Sequence, residues 1–319
     1  MIKVEHLSKH YGQAKAVNDI SFEVAEGQNL VLLGTSGCGK TTTLKMLNRL
    51  IEPTQGQIQI NGEDITNKPP ELLRRQIGYV LQNTGLFPHY TIAENIAVVA
   101  NLLKWDKQRI QTRTQELIQK LNLPQDVLQK YPHQLSGGQQ QRVGLARALI
   151  ADAPVLLMDE PFGALDNITR AKIQADFKTL DELQRKTIVM VTHDVQEAFE
   201  LGDQIAIMDQ GRIVQQGTPA GLLFKPANRF VSDFLQSQRL QLELRLVNLD
   251  AIAAALPANM VEAQQTASLT GDSSVWQAME VLKDASYPVN VKLADGTLKA
   301  ISFTGLMSAY ESYQNQVKA

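Results

Sequence analysis

The chain has 319 residues, 44% of them apolar and 20% charged, with a formal net charge of −2; that length allows about two domains with separate cores, and the near-neutral balance speaks against nucleic acid as a main partner. The single cysteine, Cys38, excludes an internal disulfide and suits a reducing compartment. No run approaches the roughly 18 apolar residues of a spanning helix, and Met1-Ile2-Lys3-Val4-Glu5 is charged too early for a secretion signal, so a role at a membrane would require other chains to do the crossing.

The first 33 residues read as strands, Ile2–His6, Ile20–Val24 and Asn29–Leu33, with Gly27 in a turn. Tyr11, beside Gly12, either packs in a core or offers a ring for stacking, and the sequence leaves both open. Gly34-Thr35-Ser36-Gly37-Cys38-Gly39-Lys40-Thr41 then follows the apolar run Leu30–Leu33 and opens into a helix with apolar spacing at Leu44, Met46 and Leu47. Strand, glycine-rich turn and helix is the setting in which GxxxxGK[ST] is a phosphate-binding loop. Its glycines let backbone N–H groups converge on phosphate oxygens, and the helix N-terminus adds its positive end. Lys40 reaches the β- and γ-phosphates and the Thr41 hydroxyl is placed for Mg²⁺, which predicts binding of a nucleoside triphosphate. Cys38 is a small filler within that loop.

Residues 56–66 read as a hairpin turning at Asn61-Gly62. Ile77–Leu81 is a buried strand ending at Gln82, and Asn83–Tyr90 holds Phe87, Pro88, His89 and Tyr90. Helices are expected over Thr91–Leu103 and Lys107–Leu121, with Ile110, Leu117 and Leu121 on one face and Thr114 between them, and a short turn precedes Tyr131-Pro132. In Leu135-Ser136-Gly137-Gly138-Gln139-Gln140-Gln141-Arg142, Ser136 and Gln139 make a capping box; a helix start with two glycines also suits a phosphate, and the two readings are compatible.

The strand Val155–Met158 ends in Asp159-Glu160-Pro161. Adjacent carboxylates at a buried strand end are costly unless they meet a cation or do proton chemistry, so Asp159 is read as a Mg²⁺ partner and Glu160 as a base. Phe162-Gly163-Ala164-Leu165-Asp166 turns into a long helix expected to end near Arg185. Strand Thr187–Val191 leads to Thr192-His193-Asp194, which puts His193 at the same end of a sheet as Asp159, the end where open α/β sheets bind ligands.

After Phe234 the pattern changes. Gln236–Leu246 alternates as a linker or strand. Ser274 and Gln277 make a second capping box before an apolar face of Val275, Ala278, Met279 and Leu282, a face expected to need a partner surface. Strands Val289–Leu293 and Leu298–Ser302, joined by Asp295-Gly296-Thr297, and a last helix Thr304–Tyr313 complete the tail. The division predicted is therefore 1–236, a linker or degenerate strand region 237–265, and a small unit 266–319.

In this order the motifs resemble those of one family, the nucleotide-binding subunits of ABC transporters, over about residues 2–235. The resemblance implies an α/β P-loop ATPase domain, a mixed sheet with a helical subdomain. It implies nucleotide contacts from Tyr11, Gly34, Thr35, Ser36, Gly37, Cys38, Gly39, Lys40, Thr41 and Thr42. Gln82 is similar to the Q-loop glutamine, Leu135, Ser136, Gly137, Gly138 and Gln139 to the signature motif, Asp166 to the D-loop residue and His193 to the switch histidine. Thr41, Gln82 and Asp159 would then hold Mg²⁺, with Lys40, Gln82, Glu160 and His193 serving hydrolysis. A head-to-tail homodimer is implied, with two ATP molecules sandwiched and Ser136 and Gly138 acting on the partner's ATP.

Tyr131-Pro132-His133-Gln134 and Phe162–Asp166 are similar to bacterial importer subunits, and the run Thr192–Pro219 is similar to importers of the glycine betaine, choline and proline group. That implies permease partners, a substrate-binding protein working indirectly, and a peripheral place on the cytoplasmic face of the inner membrane. The alternatives are an exporter or lipoprotein-release cassette, and an ATPase of translation or DNA repair, whose second cassette or inserted coiled coil this sequence lacks. The tail resembles a single CBS motif, with Gly305 where ribose-contacting motifs carry aspartate, so nucleotide binding by the tail is not expected; residues 243–265 could hold a degenerate first copy.

Overall fold

The alternating N-terminal segment forms two antiparallel strands, β1 (Ile2–Tyr11) and β2 (Ala14–Val24), longer than the pattern suggested. Ile2, Val4 and Leu7 are buried opposite Val17, Ile20, Phe22 and Val24. The change of parity in each strand is absorbed by register shifts, where His6 and Asp19 take positive φ. The structure, a computed structural model, describes residues 1–163, 165–257, 269–285 and 287–318. These fall into two units, residues 1–222 with 226–231, and residues 223–225 with 232–319.

In the first unit β3 (Asn29–Gly34) leaves for a second sheet, while β4 (Gln55–Ile60) and β5 (Glu63–Asp64) turn at Asn61-Gly62 and complete an antiparallel sheet ordered β2-β1-β4-β5. The second sheet adds β6 (Ile77–Val80), β7 (Val155–Asp159), β8 (Thr187–Thr192), β9 (Gln204–Asp209) and β10 (Arg212–Gly217) in the order β10-β9-β3-β8-β7-β6. All its pairings are parallel except β9 with β10. Every residue of β7 and β8 is buried, the near-continuous apolar run of a parallel strand covered on both faces. Because β3, β8 and β7 are neighbours, the segments after Gly34, Thr192 and Asp159 leave the sheet at one end.

Helices fill the connections: α1 (Lys40–Leu47), α2 (Pro70–Arg74), α3 (Ile92–Leu102), α4 (Lys107–Lys120) and α5 (Gly137–Leu149). Thr91 and Glu94 form a capping box at α3, and Asp106 caps α4. Thr114, Leu117 and Ile118 form the buried stripe of α4, with Ile110 only half-buried. The single helix expected to run to Arg185 is instead two, α6 (Asn167–Thr179) and α7 (Asp181–Gln184), broken at Leu180. Leu180 is extended, and both it and Leu183 are buried. The break also sets Glu182 against Arg113 (2.8 Å) and Lys120 (2.6 Å). Ala164, in the turn before α6, lies outside the described residues. Helix α8 (Val195–Leu201) follows β8, and α9 (Pro219–Phe224) and α10 (Arg229–Gln236) follow β10.

The stretch read as linker or strand is helix: α10 ends at Gln236 and α11 spans Arg239–Leu246. The alternating leucines hid an i,i+4 pair, Arg239 Nε to Glu243 Oε1 at 2.7 Å. The buried Glu243 carboxylate also accepts from Tyr310 (3.0 Å) and Gln314 (2.8 Å), bonds that only the helical placement provides. The second unit is built on Val247, Leu249, Ile252, Val291, Ile301 and Leu306 together with α12 (Val275–Leu282). Its sheet is β11 (Leu269–Thr270), β12 (Val289–Lys292) and β13 (Leu298–Ile301), with α13 (Phe303–Lys318) running well past the predicted end at Tyr313. Ser274 and Gln277 form the capping box of α12. Val275, Ala278 and Leu282 are buried in this unit's own core, so the face expected to need a partner surface is filled from within. Residues 258–268, which span part of the predicted linker and the first three residues of the predicted tail unit, lie outside the described residues. Among the described residues no helix is long and apolar enough to cross a membrane.

Candidate functional site

At the end of β3 the chain must reverse within six residues, and the glycines make that possible. Gly39 has φ +106, and a Cβ there would lie 2.4 Å from the Ala16 carbonyl oxygen. A Cβ on Gly34 would lie 2.3 Å from the Met208 carbonyl oxygen. Lys40, only 5% exposed, donates from Nζ to the carbonyls of Gly34 and Thr35, both at 2.8 Å. The loop is thus wrapped around an ammonium group, with the N-terminus of α1 behind it. Burial pushes the Cys38 thiol up, consistent with a packed filler rather than a reactive thiolate.

The Thr41 hydroxyl donates to Asp159 Oδ1 at 2.8 Å. Asp159 is 5% exposed; burial pushes its carboxyl above the usual range, against the Thr41 hydrogen bond and the nearby Lys45 and Lys40 charges. Glu160, the next residue, has φ +44, a conformation costing a non-glycine residue about 1–3 kcal/mol. It is held there because Glu160 N–H donates to the Val191 carbonyl (2.9 Å) and Gly163 N–H to the Glu160 carbonyl (3.1 Å). The strained turn points the carboxylate between two partners: Gln82 Nε2 donates to Oε2 at 2.9 Å, and His193 Nδ1 lies 3.2 Å from Oε1. Thr35, Ser36, Gly37, Gly39, Lys40, Thr41, Thr42, Gln82, Glu160 and His193 line one open cleft with Ala16. Among the described residues no group of three or more His, Cys, Asp or Glu is placed for a metal. The hydroxyl–carboxylate pair of Thr41 and Asp159 beside the Gln82 amide is an all-oxygen set of the kind Mg²⁺ uses when phosphates and water supply the rest.

Gly34, Cys38 and Asp159 do not line this cleft but touch its residues Lys40 and Thr41, and the remaining predicted residues stand apart from it. Tyr11, at the end of β1, is half exposed, with Lys9 Nζ 5.2 Å from its ring centroid, and it is not among the lining residues. Ser136 caps α5 by accepting from Gln139 N–H (3.3 Å), and the Gln139 side chain accepts from Ser136 N–H (3.0 Å); Gly137 and Gly138 form the first turn and Leu135 is buried. Asp166 accepts from Thr169 N–H at the start of α6. None of these lines the cleft of its own chain.

Two features escaped the sequence reading. Ala16 borders the phosphate loop, and an alanine in a strand carries no signal. Glu197 is 4% exposed, and burial pushes its carboxyl up to about 7, against side-chain hydrogen bonds from Thr192 and Gln174. Raised in the folded state, Glu197 contributes stability at pH values below its unfolded range near 4, and that contribution is lost as pH rises through 7. Thermal unfolding should therefore find Glu197→Gln more stable than the native chain at pH 8, by at least about 2 °C, and equal to it at pH 5. A difference independent of pH would contradict the buried-acid account.

Comparison with known proteins agrees with the geometry. The family model for the ABC transporter matches residues 17–163. The chain is 50% identical over 285 residues to the carnitine transport ATP-binding protein OpuCA of Listeria monocytogenes, covering 89% of this chain and 70% of that one. It is 51% identical over 253 residues to the glycine betaine uptake system ATP-binding protein YehX of Escherichia coli (strain K12), covering 79% of this chain and 82% of that one. Among solved structures it is similar to MJ0796, a bacterial ABC transporter cassette seen as a dimer, with TM-score 0.62 and 33% identity over 68% of this chain and 98% of that one. The same cassette has been solved in a post-hydrolysis state with ADP and Pi, at TM-score 0.62 and 32% identity.

Proposed function

This chain belongs to the ABC transporter family as an ATP-hydrolysing subunit, and we propose that it powers the import of small quaternary amines of the glycine betaine, choline and carnitine type. The observation that carries this reading is the 51% identity to YehX over 82% of that protein's length. Two copies would sandwich ATP head to tail, a reading supported by the likeness to the dimeric cassette, with Ser136 and Gly138 reaching the partner's nucleotide. Permease subunits would hold the dimer on the cytoplasmic face of the membrane, and a substrate-binding protein would deliver the solute to them.

In the cleft Lys40 and the N–H groups of Gly37 to Thr42 bind the phosphates. Thr41, Asp159 and Gln82 are the residues that would hold Mg²⁺, which when bound neutralises charge on the β- and γ-phosphate oxygens. Glu160 orients the attacking water and takes its proton, His193 meets the γ-phosphate, and Tyr11 stacks on the adenine. Gln82, already bonded to Glu160, links that carboxylate to the segment that follows. Positioning and charge do most of the work, as in-line phosphoryl transfer requires.

That segment supports the partner reading. Phe87 and Tyr90 are each 47% exposed, with ring centroids 5.3 Å apart. Fully buried Asn95 holds them in place, donating to the carbonyls of Phe87 and Tyr90 (both 3.1 Å) and accepting from Phe87 N–H (2.7 Å). A rigid exposed aromatic pair is the mark of a docking surface. Changing Phe87 and Tyr90 to Ser together should abolish solute uptake while the free subunit keeps its ATPase activity; a doubly changed subunit that still assembles and transports normally would place the contact elsewhere.

Uptake of radiolabelled glycine betaine, choline and carnitine tests the whole reading. Vesicles carrying this chain with its permease and substrate-binding protein should accumulate at least one of the three only when ATP is inside. Uptake of none of them, in vesicles whose ATPase is active, would overturn the substrate assignment.

A further inference from the structure

The turn that carries His193 is gripped on both sides by groups that take no part in the reaction described above. On one side Thr192 Oγ1 accepts from Asp194 N–H at 3.0 Å and donates to Oε2 of Glu197. On the other, Asp194 Oδ1 caps α8 by accepting from the N–H groups of Gln196 (2.9 Å) and Glu197 (3.2 Å). Asp194 Oδ2 pairs with Arg170 Nη1 at 3.2 Å. Arg170 lies in the first turn of α6, and its Nη2 donates to the Leu165 carbonyl at 3.1 Å, the residue before Asp166. The His193 ring is exposed apart from its contact with Glu160, so the backbone of this turn helps set where it points.

We propose that Glu197 and Arg170 are positioning residues that lock the His193 turn to the start of α6, so that His193 is aimed by the same segment that carries Asp166. The inference rests on the reading of His193 as the group that meets the γ-phosphate. Burying a carboxylate this deeply costs stability, and bracing this turn is the work that cost supports. Arg170 completes the brace from α6, because its guanidinium spans from the Leu165 carbonyl to Asp194 in one planar group. A shift of the segment carrying Asp166 is thereby passed to the His193 turn through one hydrogen bond and one ion pair, both made by Arg170.

The test is a mutant cycle on the full chain, with kcat and KM for ATP measured in steady state. Glu197→Ala should lower kcat about tenfold, within the roughly 10²-fold that a displaced group can cost, with KM within twofold of native. Glu197→Gln, whose amide oxygen still accepts from Thr192, should restore kcat to within twofold. In a His193→Ala background, Glu197→Ala should add less than twofold, because the residue it aims is already gone. A native kcat in Glu197→Ala, or its full tenfold loss repeated in the His193→Ala background, would overturn the brace. A native kcat in His193→Ala alone would remove the reading of His193, and with it this inference, by a result distinct from the other two. Should Glu197→Ala fail to fold, Thr192→Val removes the bridging hydroxyl while keeping shape; it should show the same kcat loss, and a native kcat in it would overturn the proposal.

Discussion

Replacing Glu160 by Gln should lower ATP turnover by about 10² to 10⁴-fold and leave ATP affinity within about twofold. Glu160 sits in a conformation that a side chain avoids, fixed by hydrogen bonds from its own N–H to Val191 and from Gly163 N–H to its carbonyl. Its carboxylate bridges Gln82 and His193 at 2.9 and 3.2 Å. The amide of Gln keeps the size and one of these bonds but has no basicity for the water's proton. The phosphate loop is untouched, so ATP is expected to bind and stay. The expected signature is an ATP-loaded dimer that accumulates, read by molecular mass in solution, beside a phosphate-release rate near background. Turnover at the native rate in this variant would remove Glu160 from the role of base.

Lys40→Met should raise the dissociation constant for ATP by at least about 10²-fold. Two effects add. A charge-assisted hydrogen bond to phosphate is worth about 1.5–3 kcal/mol, and each 1.4 kcal/mol is tenfold in affinity. The side chain also holds the loop in shape: without its ammonium, the Gly34 and Thr35 carbonyls lose the donor 2.8 Å away, at about 1–3 kcal/mol for a buried group. Titration with a fluorescent ATP analogue measures the loss, and thermal unfolding of the unliganded variant separates loop collapse from lost charge. An affinity within tenfold of native would contradict the placement of the phosphates at this loop.

The phosphate loop, the Asp159-Glu160 pair and His193 were legible in the sequence because each is a local device whose residue types and spacing follow from the chemistry. The parallel order of β3, β8 and β7 was readable only in part: apolar runs ending in functional residues fixed the common sheet end, not the neighbours. Other features depend on partners far along the chain. Gln82 meets Glu160 across 78 positions, a contact no local pattern records. The alternation of Gln236–Leu246 read as linker or strand because helix α11 is chosen by Arg239–Glu243 pairing and by Tyr310 and Gln314, some 70 residues away. Of the face predicted for α12, Val275, Ala278 and Leu282 are buried and Met279 is partly buried, but what covers it, the core of its own unit, depends on residues from Leu244 to Tyr310. Glu197 was silent because a glutamate three residues after Asp194 reads as an ordinary first-turn acid; only its burial against Thr192 marks it.

Phosphate release from ATP by the purified native chain, with Mg²⁺ present and then chelated, tests the central claim most directly. Sustained release in Mg²⁺ that falls to background on chelation is the predicted result. Release that persists unchanged without Mg²⁺, or no release in either condition even when the chain is assembled with its permease, would contradict it.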